Sequence, residues 1–131
     1  MPPEFLSLDE IIEIHRDQVE QYGGELGIRD VGLLQSAAAM PKATFGGEFL
    51  HSDIFEMAAA YLFHIVKNHP FVDGNKRTGA VAAVVFLAMN GIELGASEEA
   101  FEGLVVSVAS GKATKKVIAA FLREHSKPIT A

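Results

Sequence analysis

The chain has 131 residues, 49% of them hydrophobic, which predicts one folded domain over residues 1–131 and excludes a disordered chain. It contains no cysteine, so a disulfide framework and a thiolate zinc site are excluded. The net charge is −6 and basic residues occur only in short stretches, so we expect no nucleic-acid partner. The sequence also lacks signal-peptide and membrane-spanning patterns, and we expect a cytoplasmic protein.

The first predicted helix follows a capping sequence. In Ser7-Leu-Asp-Glu10 a serine is followed three residues later by a glutamate, and apolar residues then recur at helical spacing to about Tyr22. Gly23-Gly24 predicts the end of this helix. His15 falls within it, where we expect a surface or boundary position and assign it no role.

A second helix and a loop are predicted next. Asp30 can cap a helix that ends near Met40, because a proline follows. We expect Arg29 to pair with an acidic neighbour more readily than to reach a functional site. Residues 41–52 carry Gly46-Gly47 between two aromatic residues and predict a long loop or a weak hairpin.

The third predicted helix leads to the centre of the chain. Asp53-Ile-Phe-Glu56 is a second capping-box pattern, and the helix it opens should extend to about Lys67. His64 lies on this helix, five residues before His69. That spacing does not place two side chains on one helical face, so we expect no zinc pair.

Residues 69–90 are the centre of the predicted architecture. The polar segment from His69 to Gly79 contains a proline and a glycine that predict a turn, and an almost wholly apolar stretch follows it. A helix that is apolar on every side is buried, so residues 78–90 are predicted to be a central buried helix. The turn would lie at its N-terminus, where unpaired N–H groups and the helix dipole favour an anion.

The side chains of this turn suit phosphate chemistry. Lys76 and Arg77 would oppose the helix dipole at a cost of about 0.3–1 kcal/mol each, which a bound polyphosphate would offset. Asp73 can hold Mg²⁺ on phosphate oxygens, and Asn75 can orient the phosphate or the carboxylate. His69 can accept a proton near neutral pH. Together these residues predict a phosphoryl or nucleotidyl transfer site.

A structural role accounts for the same residue types. Phe71 would fill the core, and His69 would bond a backbone carbonyl. Asp73-Gly74-Asn75 would be a turn that caps the helix, and the two cations would be solvated. Judged by residue types alone, both interpretations stay open.

Two further helices are predicted after the centre. Ser97 begins one that ends near Ala109, and Thr114 caps another that ends near Glu124. Residues 126–131 are expected to fray. The last helix is expected to turn four apolar side chains inward, Val117, Ile118, Phe121 and Leu122.

The segment from His69 to Arg77 resembles the signature loop of the Fic/Doc superfamily, H-x-F-x-[D/E/N]-[A/G]-N-[G/K]-R, at every fixed position. The segments 21–24, 27–34 and 86–91 also resemble Doc-type proteins, so the resemblance covers most of the chain. It implies an all-α Fic/Doc fold, with about six helices around the central buried helix of residues 78–90.

The resemblance is closer to the death-on-curing (Doc) toxins of toxin–antitoxin pairs than to the Fic adenylyltransferases. Lys76 stands where the adenylyltransferases have glycine, and Ala80 where they have a second arginine. A Doc-type protein implies ATP-dependent phosphate transfer to a protein hydroxyl, with elongation factor Tu as the target and growth arrest as the result.

The site roles that this resemblance implies fall on seven residues. His69 would be the catalytic base, Asp73 the Mg²⁺ ligand and Phe71 a structural anchor of the loop. The phosphates of ATP would bind to the backbone of Gly74 and to three side chains, those of Asn75, Lys76 and Arg77.

Partners and alternatives are also implied by the family. Residues 41–52 match a flap that docks the target backbone in Fic proteins. The inhibitory motif [S/T]-x-x-x-E-[G/N] is absent, since Glu102-Gly103 is preceded by Glu98. Inhibition is therefore expected from a cognate antitoxin, through a disordered C-terminal segment. The alternatives are AMP transfer by a Fic-type adenylyltransferase and a catalytically silent antitoxin-binding module.

Overall fold

The computed structural model describes residues 2–130. These residues form six α-helices, α1 (Leu8–Tyr22), α2 (Val31–Ala39), α3 (Ile54–Asn68), α4 (Asn75–Met89), α5 (Glu98–Ala109) and α6 (Lys115–Glu124), with a 3₁₀ turn at Met40–Lys42. There are two antiparallel strand pairs, β1 (Thr44–Phe45) with β2 (Glu48–Phe49) and β3 (Ile92–Leu94) with β4 (Ser126–Pro128). The predicted all-α architecture is confirmed. Over the described range, no helix combines the length and apolar character needed to span a membrane.

The helices begin where their capping residues predict. Ser7 and Glu10 form the reciprocal capping box of α1, and Asp30 accepts a hydrogen bond from the Leu33 N–H at the start of α2. Hydroxyl side chains cap α5 and α6 in the same way, from Ser97 and Thr114. Local side-chain-to-backbone hydrogen bonds therefore fix most of the helix starts.

The predicted capping box at α3 is only half formed. Asp53 accepts from the Glu56 N–H as expected, but the Glu56 carboxylate accepts from the backbone N–H and the hydroxyl of Ser52. The Glu56 carboxylate therefore binds one residue before the N-cap Asp53, where Ser52 offers it two donors.

Helix α4 is the centre of the fold and packs along α3. It begins three residues before the predicted start at 78, because the turn ends at Gly74. Its buried residues are Asn75, Thr78, Gly79, Ala82, Ala83, Phe86 and Leu87. The predicted buried central helix is confirmed, with one half-buried side, Ala80, Val81 and Val84, that lies along an open groove towards α5.

Two predictions about the C-terminal part are wrong. Ser126–Pro128 does not fray, because it pairs with β3, and the Ile129 N–H donates to the Gly91 carbonyl at 2.9 Å. Val117 does not turn inward, since 51% of it is exposed. The buried residues of α6 are Ile118, Ala119 and Leu122, a stripe that places position 117 at the edge of the solvent face.

Residues 41–52 contain the hairpin that was one of the two predicted alternatives. Gly46 and Gly47 have φ of 61° and 83°, which allows the two-residue turn between β1 and β2. Phe45 at its tip is 83% exposed. The hairpin thus presents an aromatic side chain and short strand edges to solvent.

We expect Gly79→Ala to destabilise the protein, because α3 packs directly against α4 at Gly79. A Cβ there would lie 2.9 Å from Val66 Cγ2 and 3.3 Å from the Leu62 carbonyl oxygen. Overpacking costs about 1–3 kcal/mol, more than the gain of about 0.8–1.0 kcal/mol when alanine replaces a helical glycine. Urea denaturation would measure the difference.

Gly103→Ala in α5 is the matched control. A Cβ at Gly103 meets nothing within 4 Å, so this variant should be more stable than the wild type. Equal stabilities of the two variants would contradict the close packing of α3 on α4 at Gly79.

Candidate active site

The turn between α3 and α4 begins at His69, which ends α3 in the left-handed conformation. Its φ of 51° is the one positive value at a non-glycine residue in the range 2–130. A conformation of this kind costs about 1–3 kcal/mol and persists only where the surroundings impose it. Here the carbonyl of the next residue, Pro70, accepts hydrogen bonds from the N–H groups of Arg29 at 2.7 Å and Asp30 at 3.1 Å.

The middle of the turn is held from within by Asn75. Its side-chain Oδ1 accepts from the Phe71 N–H, and its Nδ2 donates to the Phe71 carbonyl, both at 3.0 Å. Asn75 is buried, and the Phe71 side chain is fully buried in the core. The amide of Asn75 thus makes two hydrogen bonds inside the loop, and its backbone N–H lies at the start of α4, where it is also available to a phosphate.

His15 supports the same turn from α1. Its ring stacks on the Phe71 ring, with centroids 3.8 Å apart, and its Nε2–H donates to the Asp73 carbonyl at 2.8 Å. The expected surface or boundary position of His15 is wrong, since only 3% of it is exposed. It lies four residues from both Ile11 and Val19 on the buried stripe of α1, a spacing that could have revealed it.

Asp73 carries its carboxylate on the open side of the turn. Its Oδ1 accepts from the Gly74 N–H at 2.9 Å, and its Oδ2 from the Glu25 N–H at 3.3 Å. Gly24 leaves the room that the carboxylate occupies, since a Cβ there would lie 2.7 Å from Oδ2. Gly24 thus shapes the position of Asp73, while Gly23 before it is the residue that ends α1.

The N-terminus of α4 has no side-chain cap, because its N-cap residue is Gly74 with φ of 76°. The first N–H groups of the helix are therefore available to an anion. Arg77 lies over the Tyr22 ring and donates from Nη2 to the Gly23 carbonyl at 2.8 Å. Lys76 is exposed and forms no ion pair within the described part of the chain.

These groups line one cavity of about 650 Å³. It brings together all six residues predicted to act on the nucleotide, His69, Asp73, Gly74, Asn75, Lys76 and Arg77. Phe71 lies behind the turn in the core, in the position of an anchor. The cavity therefore combines a histidine, a carboxylate, two cations and a helix N-terminus, a set able to bind a phosphate chain beside a proton acceptor.

Arg29 borders this site from the segment before α2. Its Nε donates to the His69 carbonyl at 2.6 Å and its Nη2 to the Asn68 carbonyl at 2.9 Å. The expected pairing of Arg29 with an acidic neighbour is wrong, because the carbonyls at the end of α3 take its donors. No local sequence signal identifies such a contact across 40 residues.

His64 belongs to a separate cluster on α3 and α6. Its Nε2 lies 3.1 Å from Lys115 Nζ, and His51 Nε2 lies 3.3 Å from the same nitrogen. Burial, followed by the charge of Lys115, lowers the pKa of His64 to about 4. His64 is therefore neutral at neutral pH and is not a side chain of the turn.

The donor set fits Mg²⁺ held mainly by a substrate. No group of three or more potential metal ligands occurs in residues 2–130, and Asp73 is the carboxylate that lines the cavity. Mg²⁺ commonly binds through one or two carboxylates together with substrate phosphates and water. A single carboxylate next to an anion-binding helix N-terminus suits that arrangement.

The sequence matches the Fic/DOC family over residues 5–87, which is more than half of the chain. The chain therefore belongs to the Fic/DOC family, and the motif and most of the cavity lie within the matched region.

Two relatives connect the chain to the Doc group. It is 48% identical over 75 residues to Toxin Doc of Mycolicibacterium smegmatis, an alignment that covers 57% of this chain and 58% of that protein. It is 33% identical over 118 residues to Protein kinase doc of Escherichia phage P1, covering 90% of this chain and 92% of that protein.

We expect Gly24→Ala to displace the Asp73 carboxylate and to weaken Mg²⁺-dependent binding of ATP. The added methyl group would overlap Asp73 Oδ2, and loss of a carboxylate's support typically lowers metal affinity about 10-fold or more. Isothermal titration calorimetry with ATP, with and without Mg²⁺, would measure this change.

Gly23→Ala supplies the control for backbone strain. Gly23 also has a positive φ, but a Cβ there meets nothing within 4 Å. Both variants should lose stability, while only Gly24→Ala should lose the Mg²⁺-dependent part of the affinity. Equal ATP affinities would mean that Asp73 does not bind the metal.

Proposed function

We propose that the chain is a Doc-type toxin that transfers the γ-phosphate of ATP to a serine or threonine hydroxyl of a translation factor, elongation factor Tu, and so arrests translation and growth. The observation that carries this proposal is the shared cavity of His69, Asp73 and the uncapped N-terminus of α4. Its volume of about 650 Å³ is that of a small-molecule site. The relative named Protein kinase doc supports the same chemistry.

The reaction needs few groups from the protein. His69 takes the proton of the target hydroxyl as that oxygen bonds to the γ-phosphorus, and the bond from phosphorus to the ADP oxygen breaks. Lys76, Arg77 and the N–H groups at the start of α4 stabilise the charge on the phosphate oxygens. Asp73 would hold Mg²⁺, which neutralises phosphate charge when bound. Positioning and charge stabilisation are the main contributions to phosphoryl transfer.

AMP transfer is the alternative chemistry for the same turn. Position 80, one turn beyond Arg77 on α4, is an alanine that lines the groove beside the site. The cations in the cavity are therefore Lys76 and Arg77 alone among the described residues. The absence of the second arginine of the adenylyltransferases favours transfer of the γ-phosphate over transfer of AMP. A silent binding module is disfavoured, because His69, Asp73 and Asn75 are all retained.

The hairpin of β1 and β2 is the proposed docking element for the target. It presents short strand edges and the exposed ring of Phe45, and an extended segment of a target could add to such an edge. The target would then bind at the hairpin, whereas ATP would bind in the cavity.

We expect the wild-type protein with ATP and Mg²⁺ to add one phosphate to elongation factor Tu, and His69→Ala to lose most of this activity. A positioned base contributes about 10²- to 10⁴-fold to the rate. Intact-protein mass spectrometry of the target, followed over time, would measure both. Addition of AMP would instead establish the alternative chemistry.

His125→Ala serves as the control, because His125 lies at the end of α6 and is bonded to the Phe121 carbonyl. It should phosphorylate the target at the wild-type rate. If elongation factor Tu is not modified, growth of cells that express either protein separates the two remaining explanations. Growth arrest by the wild type but not by His69→Ala would mean an active enzyme with another target, whereas no difference in growth would mean a silent module.

We further propose that a cognate antitoxin inhibits the chain by placing a helical segment in the groove between α4 and α5. The groove encloses about 520 Å³ over apolar residues of both helices, and Lys76 and Arg77 line one end of it as well as the site. An amphipathic helix could bury its apolar face there. An acidic side chain at that end would then compete with phosphate for the two cations.

We expect Val106→Asp to weaken antitoxin binding, because Val106 lies on the α5 side of the groove. A carboxylate there would be buried by the antitoxin segment. The variant should arrest growth even when the antitoxin is co-expressed, and calorimetry should show a lower affinity. Val117→Asp is the control, since Val117 is exposed to the same extent but lies on α6, outside the groove. Equal inhibition of both variants would place the antitoxin elsewhere.

A further inference from the structure

The end of α3 is held by a segment that lies outside the signature turn. Three consecutive carbonyls at this end accept hydrogen bonds from that segment. The Arg29 guanidinium binds the carbonyls of Asn68 and His69, and the backbone N–H groups of Arg29 and Asp30 bind the Pro70 carbonyl. A helix C-terminus leaves such carbonyls without partners in its own helix. In this chain the partners come from about 40 residues earlier in the sequence.

The guanidinium of Arg29 spans the point where the backbone leaves the helix. Asn68 is the last residue of α3, and His69 follows in the left-handed conformation. Because the guanidinium is planar and its donors form a rigid fork, the two carbonyls it binds are fixed relative to each other. The relative orientation of these peptide groups determines the direction in which the His69 side chain leaves the backbone.

A second set of contacts completes the support. The Val72 N–H donates to the Gly27 carbonyl at 3.0 Å, and Ile28 and Phe71 form an isolated antiparallel bridge. The segment 27–30 therefore lies beside the turn from His69, the first residue of the turn, to Val72, the fourth. Within this segment, Arg29 is the residue that binds the His69 carbonyl through its side chain.

We propose that Arg29 is the positioning residue of His69, and that its forked hydrogen bonds to the Asn68 and His69 carbonyls aim the imidazole into the cavity. Arg29 itself is absent from the cavity lining, so it acts through the backbone and not on a substrate. Its effect on turnover rests on the phosphotransferase function proposed above, whereas its effect on the geometry of His69 does not.

The direct test observes the His69 ring by NMR. The chain has five histidines, so the ring signals are few, and His69→Ala assigns the relevant one. In Arg29→Ala the His69 signals should shift or broaden, while those of His51, His64 and His125 stay in place. Arg123→Ala is the matched control. Arg123 is likewise an exposed arginine, but it bonds the Asp53 carboxylate at 2.7 Å, and its loss should leave the His69 signals unchanged. Unchanged His69 signals in folded Arg29→Ala would overturn the proposal.

Arg29→Lys keeps the charge but not the fork, and it covers the case in which Arg29→Ala fails to fold. It should fold and still show displaced His69 signals, because one ammonium group cannot reproduce the planar pair of donors. Wild-type His69 signals in Arg29→Lys would also overturn the proposal, since charge alone would then suffice.

The kinetic test separates positioning from general stability. Loss of Arg29 should lower kcat about 10- to 100-fold with little change in the KM for ATP, since misplacement by about 1 Å can cost 10²-fold. Guanidinium at non-denaturing concentration should restore part of the kcat of Arg29→Ala, and methylammonium should not. A loss that follows stability alone, without guanidinium rescue, would overturn the catalytic part of the proposal.

The two proposals fail in different ways. If the wild-type protein modifies no target while the His69 signals respond to Arg29, the phosphotransferase function fails and the positioning of His69 stands. If the wild type is active and Arg29→Ala retains wild-type signals and kcat, the positioning role fails alone.

Discussion

The paired hydrogen bonds between the Asn75 amide and the Phe71 backbone are the contact on which the rest of the site depends. They close the turn between two antiparallel helices that are packed tightly enough to require a glycine at position 79. Because Phe71 is fully buried, the closed turn is also fixed in the core. The turn can therefore expose a histidine at one end and helix N–H groups at the other without being flexible between them. An amide is suited to this task, since it donates and accepts at once.

The electrostatics of the cavity follow from the same turn. A glycine N-cap leaves the positive end of α4 without a side-chain partner, and Lys76 and Arg77 add two further positive charges. In a chain with a net charge of −6 this is a local concentration of positive charge that is unfavourable without an anion. Asp73 offsets it in part. The arrangement is costly as a structural turn and reasonable as a binding site, so it favours the binding-site interpretation of the two left open by residue types.

Short-range features of the fold could be predicted from the sequence, and long-range ones could not. Ser7, Asp30, Ser97 and Thr114 mark helix starts because each bonds an N–H only three residues away. The contacts of His15 and Arg29 with the turn span 58 and 40 residues, and the pairing of β4 with β3 also depends on tertiary packing. The position of His15 on the buried stripe of α1 partly indicated in the sequence that its side chain is buried, whereas no sequence feature indicated the contact of Arg29 with the turn. The motif itself could be identified because its residues are contiguous.

The residues of the motif supply the chemical groups and close the turn, but residues outside the motif also hold these groups in place. His15 holds the Asp73 carbonyl, Gly24 leaves room for the Asp73 carboxylate, and Arg29 binds the His69 carbonyl. A related chain could keep all the motif residues and still lose the geometry through changes at these three positions. Conversely, a chain that has these three residues as well as the motif meets a stricter criterion for an intact site than the motif alone. The three contacts form only if α1 and the segment before α2 pack against the turn.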